Sequence, residues 1–297
     1  MIRVITPATS ANLGSGFDSL GVALSIHNVV LMEESDHIDI SCSNGHKVAT
    51  DETNLIYKCA KRVYDLCGVP LKGLKIIEEC NIPMTRGLGS SSACTVAGLL
   101  GANTLLKNPL SRQEIIDLAA RIEGHPDNST PAILGGFAAA LLHDGHVWHV
   151  RVPIGGKLSF AAFIPNFELS TEKARDALPT RIPHQDAVFN LGRAALLAGS
   201  LVTGDFHNIG VAVDDRLHQP YRYDLIPHGR DIMEAVRTVG ALGTYISGAG
   251  PTIIALVDNA DEGFYNRVTR YFKDRFDNWS IQMLSCDEMG ARVEFVD

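Results

Sequence analysis

Residues 83–93 carry the backbone and side-chain groups best suited to chemistry. They read Pro-Met-Thr-Arg-Gly-Leu-Gly-Ser-Ser-Ser-Ala, and residues 94–106 continue with apolar side chains at helical spacing. Glycines let backbone N–H groups approach an anion closely, and a helix start adds unpaired N–H groups and partial positive charge. The segment therefore predicts a phosphate-binding loop that opens a buried helix. A plain helix cap and turn is the alternative from these letters alone.

Other nucleotide-binding signatures do not fit the chain. There is no Gly-x-x-x-x-Gly-Lys-Ser/Thr sequence, so the usual P-loop is excluded. Gly14-Ser15-Gly16 is the nearest match to a dinucleotide fingerprint, but it lacks the third glycine at the required spacing.

A second polar group lies at residues 123–128, which read Glu-Gly-His-Pro-Asp-Asn. It follows a helical pattern that starts with a capping-box signature at residues 111–114, and Pro126 ends that pattern. A glutamate, a histidine, an aspartate and an asparagine this close could bind a metal ion or transfer protons. A solvated helix end with an Asx turn is the alternative.

Two further loops consist of small residues. Residues 7–21 form a long polar segment between two strand-like runs, and residues 247–251 form a second glycine-rich turn before an apolar strand. A loop as long as the first one inside a compact domain is usually functional, with a surface turn as the alternative.

Composition narrows the classes of partner. The chain has 297 residues, 45% of them hydrophobic, and a formal net charge of −8 without a basic run. We therefore expect no nucleic acid partner. The six cysteines contain no C-x-x-C pair, the first residues lack signal-peptide architecture, and the longest weakly polar run is too short to span a bilayer. These features predict a cytoplasmic protein without a membrane partner.

The order of elements predicts an α+β protein of two domains. Helical patterns at residues 53–67, 111–122 and 187–202 alternate with strand patterns, and Asp144-Gly145 indicates a β-hairpin. Pro153 and the glycines at 155 and 156 suggest a junction. The expected domains are residues 1–154 and residues 155–297.

Three of these stretches together resemble one family. Residues 7–21, 83–93 and 247–251 are similar, in kind and order, to the three motifs of the GHMP small-molecule kinases. Residues 165–175 and 220–222 resemble the homoserine kinase branch of that family. The resemblance implies an N-terminal domain like ribosomal protein S5 domain 2 and a C-terminal ferredoxin-like α/β sandwich, with ATP and substrate between them.

The resemblance also implies the cofactors. ATP would lie on the glycine-serine loop, and Ser91 and Glu123 would hold Mg²⁺, an ion that prefers hard oxygen ligands. In some relatives the metal glutamate lies farther ahead of the Asp-Asn pair than Glu123 does here. The expected ATP-binding residues are Pro83, Arg86, Gly87, Leu88, Gly89, Ser90, Ser91, Ser92 and Ala93.

The implied substrate is L-homoserine, which has an ammonium, a carboxylate and a primary hydroxyl. Asp18 suits the ammonium, and Arg175 and Arg222 suit the carboxylate through forked guanidinium donors. Asp127 is the candidate catalytic residue, since some relatives use an aspartate base there; the γ-phosphate or solvent is the alternative proton acceptor. The expected substrate-binding residues are Asn12, Asp18, Asn128, Thr171, Arg175, Arg222 and Gly248.

Two other functions remain open at this point. One is a different GHMP kinase, such as a mevalonate kinase, although the carboxylate of Asp18 would repel mevalonate, which has no ammonium. The other is a non-catalytic sensor with the same fold, against which Ser91, Glu123 and Asp127 argue. The expected partner is a small-molecule substrate, and we also expect a homodimer.

Overall fold

Two β-sheets form the framework of the part of the chain that this computed structural model describes, which is residues 1–154, 157–273 and 275–296. The first sheet has the strand order β11-β1-β2-β4-β3, and a β5–β6 hairpin extends it from β2. Its strands are β1 (Ile2–Ala11), β2 (Leu20–Ser35), β3 (Asp39–Cys42), β4 (Gly73–Glu79), β5 (Phe137–His143), β6 (His146–Val152) and β11 (Arg292–Phe295).

The pairing of β1 with β2 places the long polar loop. The two strands run antiparallel from Ile2 opposite Met32 to Ala11 opposite Gly21, so the loop between them leaves the sheet at one end. The β5–β6 hairpin turns at Asp144 and Gly145, which both have positive φ, as a two-residue hairpin turn requires. The predicted hairpin is confirmed.

Helices cover one face of the first sheet. They are α1 (Leu55–Leu66), α2 (Ser90–Leu105), α3 (Arg112–Glu123) and α4 (Ser129–Leu134). The capping box expected at residues 111–114 is present, with Ser111 and Glu114 exchanging hydrogen bonds. Helix α2 is buried on most sides, and a Cβ at Gly98 would lie 2.4 Å from the Ile56 carbonyl oxygen of α1. Small residues therefore let α2 lie against α1.

The second sheet is antiparallel, with the order β10-β7-β9-β8. Its strands are β7 (Leu158–Pro165), β8 (Gly243–Ile246), β9 (Ile253–Asp258) and β10 (Trp279–Ser285). The helices of this half are α5 (Thr171–Asp176), α6 (His184–Thr203), α7 (Ile209–Ala212), α8 (Gln219–Arg222), α9 (Gly229–Thr238) and α10 (Phe264–Phe272), with a 3₁₀ turn at Tyr223–Leu225. The mixed α and β content agrees with the expected α+β class.

One apolar core joins the two halves of the chain. Leu13 and Leu88 from the first half pack in the same buried cluster as Phe160 and Tyr245 from the second. Strand β11, near the C-terminus, pairs with β1 of the first sheet. The expected domain boundary adjoins residues 155 and 156, which lie outside the described residues, and the boundary stays a prediction.

Candidate active site

A cleft of about 400 Å³ opens where the three motif loops meet. Ser247 Oγ donates to the Gly87 carbonyl oxygen at 2.6 Å, and Gly248 N donates to the Ala11 carbonyl oxygen at 3.1 Å. Thr252 N also donates to Arg86 O at 3.3 Å. The turn after β8 therefore fixes both the loop after β1 and the loop before α2.

Most of the predicted site residues line this cleft. Pro83, Leu88 and Ala93 do not, and the side chains of Leu88 and Ala93 are buried in the apolar core. The predicted residues in the lining are Asn12, Asp18, Arg86, Gly87, Gly89, Ser90, Ser91, Ser92, Glu123, Asp127, Asn128, Thr171, Arg175, Arg222 and Gly248.

The start of α2 borders the cleft, and the first backbone N–H groups of a helix have no partner within the helix. Gly89 is its N-cap in the left-handed conformation, without a side-chain hydrogen bond to the helix. A Cβ at Gly89 would lie 2.0 Å from Thr9 Oγ1, so the loop lies directly against β1. The first turn has no acidic side chain. Its partial positive charge therefore remains available to an anion.

Arg86 binds protein carbonyls within this loop. Its guanidinium donates to the carbonyl oxygens of Met84 at 2.8 Å, Pro165 at 3.0 Å and Asn166 at 3.1 Å. Its Nη1 also lies 3.7 Å from an oxygen of Glu168. These bonds tie the loop to the end of β7, which gives Arg86 a structural role beside the predicted contact with nucleotide.

Glu123, the last residue of α3, faces the first turn of α2. Ser92 Oγ donates to its Oε2 at 2.8 Å, and its Oε1 is buried without a hydrogen-bond partner in the described part of the chain. Burial raises the pKa of Glu123 to about 7. A divalent cation would supply the missing positive partner, so this carboxylate fits a Mg²⁺ ligand. Ser91 is exposed in the same cleft, and it is Ser92 that contacts Glu123 directly.

Asp127 and His125, which follow the end of α3 in the chain, form a pair. His125 Nδ1 and Asp127 Oδ1 lie 2.7 Å apart, and Asp127 is buried. Burial opposes a charge on His125, but the hydrogen bond and negative charge of Asp127 outweigh it and raise the pKa of His125. Ligand atoms of Asp18, His125 and Asp127 all lie within 4.8 Å of one another. His125 was not among the individual site residues predicted from the sequence, although it lies in the polar segment at residues 123–128.

Asp18 and Arg175 bind each other. Arg175 donates to the two Asp18 carboxylate oxygens at 2.9 and 3.1 Å, and this hydrogen bonding raises the pKa of Arg175. Asn12 accepts from Asp18 N and donates to the Gly248 carbonyl oxygen, each at 2.9 Å. The two residues predicted to hold opposite ends of a substrate therefore form an ion pair with each other in this structure.

Arg222 is 1% exposed, yet it reaches the cleft. Burial, with the nearby charge of Arg175, lowers its pKa to about 10, so the guanidinium remains charged near pH 7. The guanidinium carbon of Arg222, Cζ, lies 5.5 Å from the ring centre of Phe17, which also lines the cleft. Phe17 was missed as a site residue, although it stands directly before Asp18 in the first motif.

Known protein families and relatives match this chain over most of its length. The family model for the GHMP kinases N terminal domain matches residues 54–136, and the model for the GHMP kinases C terminal region matches residues 194–274. The chain belongs to the GHMP kinase family. A homoserine kinase from Caldicellulosiruptor bescii is 46% identical, with 99% of this chain and 97% of the relative covered. One from Clostridium botulinum is 42% identical, with 99% and 98% covered.

A solved structure agrees with this GHMP kinase over its length. The homoserine kinase from Cytophaga hutchinsonii is 30% identical, covers 99% of this chain and 97% of its own, and superposes with a TM-score of 0.86. The predicted family and the two-domain GHMP kinase fold are confirmed. The protein is thus a kinase, and ATP is the phosphoryl donor that the family implies. Across the described ranges, no helix has both the length and the apolar character needed to cross a membrane.

Proposed function

We propose that this GHMP kinase transfers the γ-phosphoryl group of ATP to the hydroxyl of L-homoserine, yielding ADP and O-phospho-L-homoserine for threonine biosynthesis. The observation that carries the proposal is the cleft itself, where Asp18, Arg175 and Arg222 offer one negative and two positive groups. An amino acid matches that charge pattern at both ends. The homoserine kinases at 42–46% identity support the same substrate.

The nucleotide phosphates would lie at the start of α2. Gly89, Ser90 and Ser91 line the cleft at this helix start, and their backbone N–H groups would cradle the phosphates, in the way that helix starts bind anions. Phosphoryl transfer depends on placing charges around the moving group more than on covalent chemistry of the protein. Bound Mg²⁺ would neutralise charge on the phosphate oxygens, with Ser91 and Glu123 as its proposed protein ligands.

The substrate would replace the direct contact between Asp18 and Arg175. Its ammonium would take the Asp18 carboxylate, and its carboxylate would take Arg175 and Arg222, with Asn12, Thr171 and Gly248 around it. Asn128 is fixed by Thr9, whose Oγ1 donates to its Oδ1 at 2.8 Å. We propose that Asp127 faces the reacting hydroxyl through Oδ2, because its Oδ1 is engaged by His125.

The homodimer is a further proposal, and one face of α6 supports it. Val188, Leu191 and Val202 are 55%, 72% and 56% exposed, and a Cβ at Gly199 would meet nothing within 4 Å. If two copies pack antiparallel about Ala195, Leu191 of each copy lies opposite Gly199 of the other. The large side chain of Leu191 then fills the open space at Gly199, and Val188 of one copy lies opposite Val202 of the other. The cytoplasmic location stays a prediction.

An assay that measures ADP release, with ATP and Mg²⁺ present, tests the proposed substrate. We expect turnover of L-homoserine, and at least tenfold lower kcat/KM for 4-hydroxybutyrate, which lacks the ammonium, because Asp18 is then left unpaired. Arg175→Ala should lower kcat/KM for L-homoserine by about one to three decades without changing ATP affinity. Arg216→Ala breaks a comparable ion pair, with Asp186, outside the cleft, and serves as the control.

Two results would contradict the proposal. Equal use of L-homoserine and 4-hydroxybutyrate would remove the role of Asp18. Faster turnover of mevalonate than of L-homoserine would favour the alternative GHMP kinase function.

A further inference from the structure

A fully buried histidine supports Arg222 from behind. His218, just ahead of α8, has no exposed surface, and its ring stacks on Phe17 with centres 5.2 Å apart. Its Nε2 lies 2.7 Å from the Gly14 carbonyl oxygen, and Arg222 Nη1 lies 3.0 Å from its Nδ1. His218 does not line the cleft. It thus touches the motif loop after β1 and the buried arginine, without reaching the space for substrate.

The two hydrogen bonds fix the state of the imidazole. A carbonyl oxygen can only accept, so Nε2 carries the proton that it donates to Gly14. A guanidinium can only donate, so Nδ1 must be the unprotonated nitrogen that accepts from Arg222. Burial also lowers the pKa of His218, against the opposing charge of the Asp215 carboxylate, which lies 3.6 Å from Nε2. The ring is thus a one-donor, one-acceptor link between Gly14 and Arg222.

The guanidinium of Arg222 donates hydrogen bonds to three protein acceptors. Nε donates to the Ala174 carbonyl oxygen at 3.2 Å, and the two hydrogens of Nη1 go to His218 and to the Gly248 carbonyl oxygen. Three of the five N–H groups of a guanidinium are then used. Within the described residues, no acceptor is found for Nη2. The planar group is held so that its one free nitrogen is left for a ligand in the cleft.

We propose that His218 is a positioning residue for substrate recognition, which holds Arg222 so that Nη2 binds the carboxylate of the amino-acid substrate. The inference rests on the proposed function and adds the selection of that carboxylate to it. Asp215 fixes the backbone around His218, since its carboxylate accepts hydrogen bonds from the backbone N–H groups of Leu217, His218 and Gln219. His218 acts through Arg222 and touches no reacting atom.

Two isosteric variants separate the two bonds of His218. An asparagine places an acceptor where Nδ1 lies, so His218→Asn keeps the bond from Arg222 and loses the one to Gly14. A glutamine places a donor where Nε2 lies, so His218→Gln keeps the bond to Gly14 and loses the one from Arg222. Gln219→Met is the matched control, because Gln219 is also buried, bonds Ile246 N and the Val213 carbonyl oxygen, and has no side-chain hydrogen bond with Arg222.

The readout is the ratio of kcat/KM for L-homoserine to that for L-homoserinol, in which a hydroxymethyl group replaces the carboxylate. We expect His218→Gln to reduce this ratio about 10- to 100-fold, since a hydrogen bond on a buried charged group is lost. His218→Asn and Gln219→Met should stay within about threefold of wild type, because the bond on Arg222 survives in both. A general loss of folding would lower both activities together and leave the ratio unchanged.

Wild-type results separate the two levels of the proposal. If wild type does not phosphorylate L-homoserine, the proposed function fails. If wild type does so and His218→Gln keeps the wild-type ratio, or His218→Asn loses it equally, only the role of His218 is overturned. Nitrogen NMR of the wild-type imidazole needs no variant. We expect the neutral form with the proton on Nε2 across pH 6–8, and a proton on Nδ1 would overturn the inference.

Discussion

Glu123 shows how a single buried carboxylate marks a site. Its Oε1 lacks a partner in the described structure, and burial raises its pKa from the usual 4.5 to about 7. Without a cation, this charge costs stability near neutral pH, since the unfolded chain ionises more easily than the folded one. A residue that weakens the fold in this way fits a ligand-binding role.

Replacing Glu123 with glutamine tests that cost. Between pH 4.5 and 7 the unfolded wild type loses the proton that the folded state still holds, so the free energy of unfolding falls as pH rises. In metal-free buffer at pH 8 we expect Glu123→Gln to raise that free energy by up to about 3 kcal/mol, and to leave it unchanged at pH 4. Denaturant titration with a chelator at both pH values measures it.

Added Mg²⁺ and a second glutamate supply the controls. Mg²⁺ should stabilise wild type and have a much smaller effect on Glu123→Gln. Glu114, in the first turn of the same helix, has a pKa that its bonds to Ser111 lower, so Glu114→Gln should destabilise at pH 8. A lower unfolding free energy for Glu123→Gln at pH 8 would show that the carboxylate is not strained.

The Asp18–Arg175 pair makes a related point about charged residues. Both side chains are more than a third exposed, at 35% and 38%. Exposed ion pairs contribute little to stability, so the pair is not needed to hold the fold together. Its place in the cleft beside Arg222 is consistent with the proposed function, in which each partner binds one charged end of the amino acid.

Among the elements, α2 combines a structural and a binding role. Its length is buried against α1 and β1, and its sequence of small and apolar residues suits a helix enclosed on several sides. Ser91, in its first turn, is exposed and lines the cleft together with Ser90. The buried body fixes the position of the exposed end, which gives the phosphate site its rigidity.

A charge placed at this helix start should separate stability from binding. An acidic side chain near a helix N-terminus stabilises the helix by about 0.3–1 kcal/mol. We therefore expect Ser91→Asp to fold at least as stably as wild type, while its affinity for ATP falls at least tenfold through charge repulsion and loss of the hydroxyl. Calorimetry with ATP and thermal unfolding measure the two effects.

Ser111→Asp is the matched control for this change. Ser111 caps α3 at the end remote from Glu123, and aspartate is an equally good N-cap. ATP affinity should stay at the wild-type value in this variant. Unchanged ATP binding in Ser91→Asp as well would mean that the phosphates do not lie at the start of α2.

For the molecule as a whole, the proposed homodimer would bury the exposed apolar face of α6. Leu191 is the most exposed apolar side chain on that face, at 72%. If this face joins two copies, a charge introduced at position 191 is buried against the apolar surface of the other copy. The two-fold symmetry makes this happen in both copies. We expect Leu191→Lys to convert a dimer into a monomer, with sedimentation velocity at micromolar concentration as the measurement.

Leu141→Lys controls for a general effect of surface charge. Leu141 is 53% exposed on β5, away from α6. This variant should keep the wild-type sedimentation coefficient. A wild-type protein that is monomeric at these concentrations, or a Leu191→Lys variant that stays dimeric, would contradict the proposed packing of α6.

Local features of this protein could be predicted from its sequence alone. Glycine pairs, serine runs and capping residues act on neighbours within a few positions, so they predicted the loop before α2, the hairpin at Asp144-Gly145 and the capping box of α3. The three motifs, taken in order, also identified the family and hence the two-domain fold. These predictions depended on backbone conformation and on spacing along the chain.

Contacts between side chains far apart in the sequence depend on the tertiary fold. Arg175 lies 157 positions from Asp18, and His218 lies 204 positions from Gly14, so no spacing rule could pair them. Ser92, and not its neighbour Ser91, contacts Glu123 because the rotation of α2 against α3 selects the residue that faces inward. The burial that raises the pKa of Glu123 likewise arises only when the end of α3 packs against α2. Contacts distant in sequence, with Ala174 and Gly248, help to leave only Nη2 of Arg222 free.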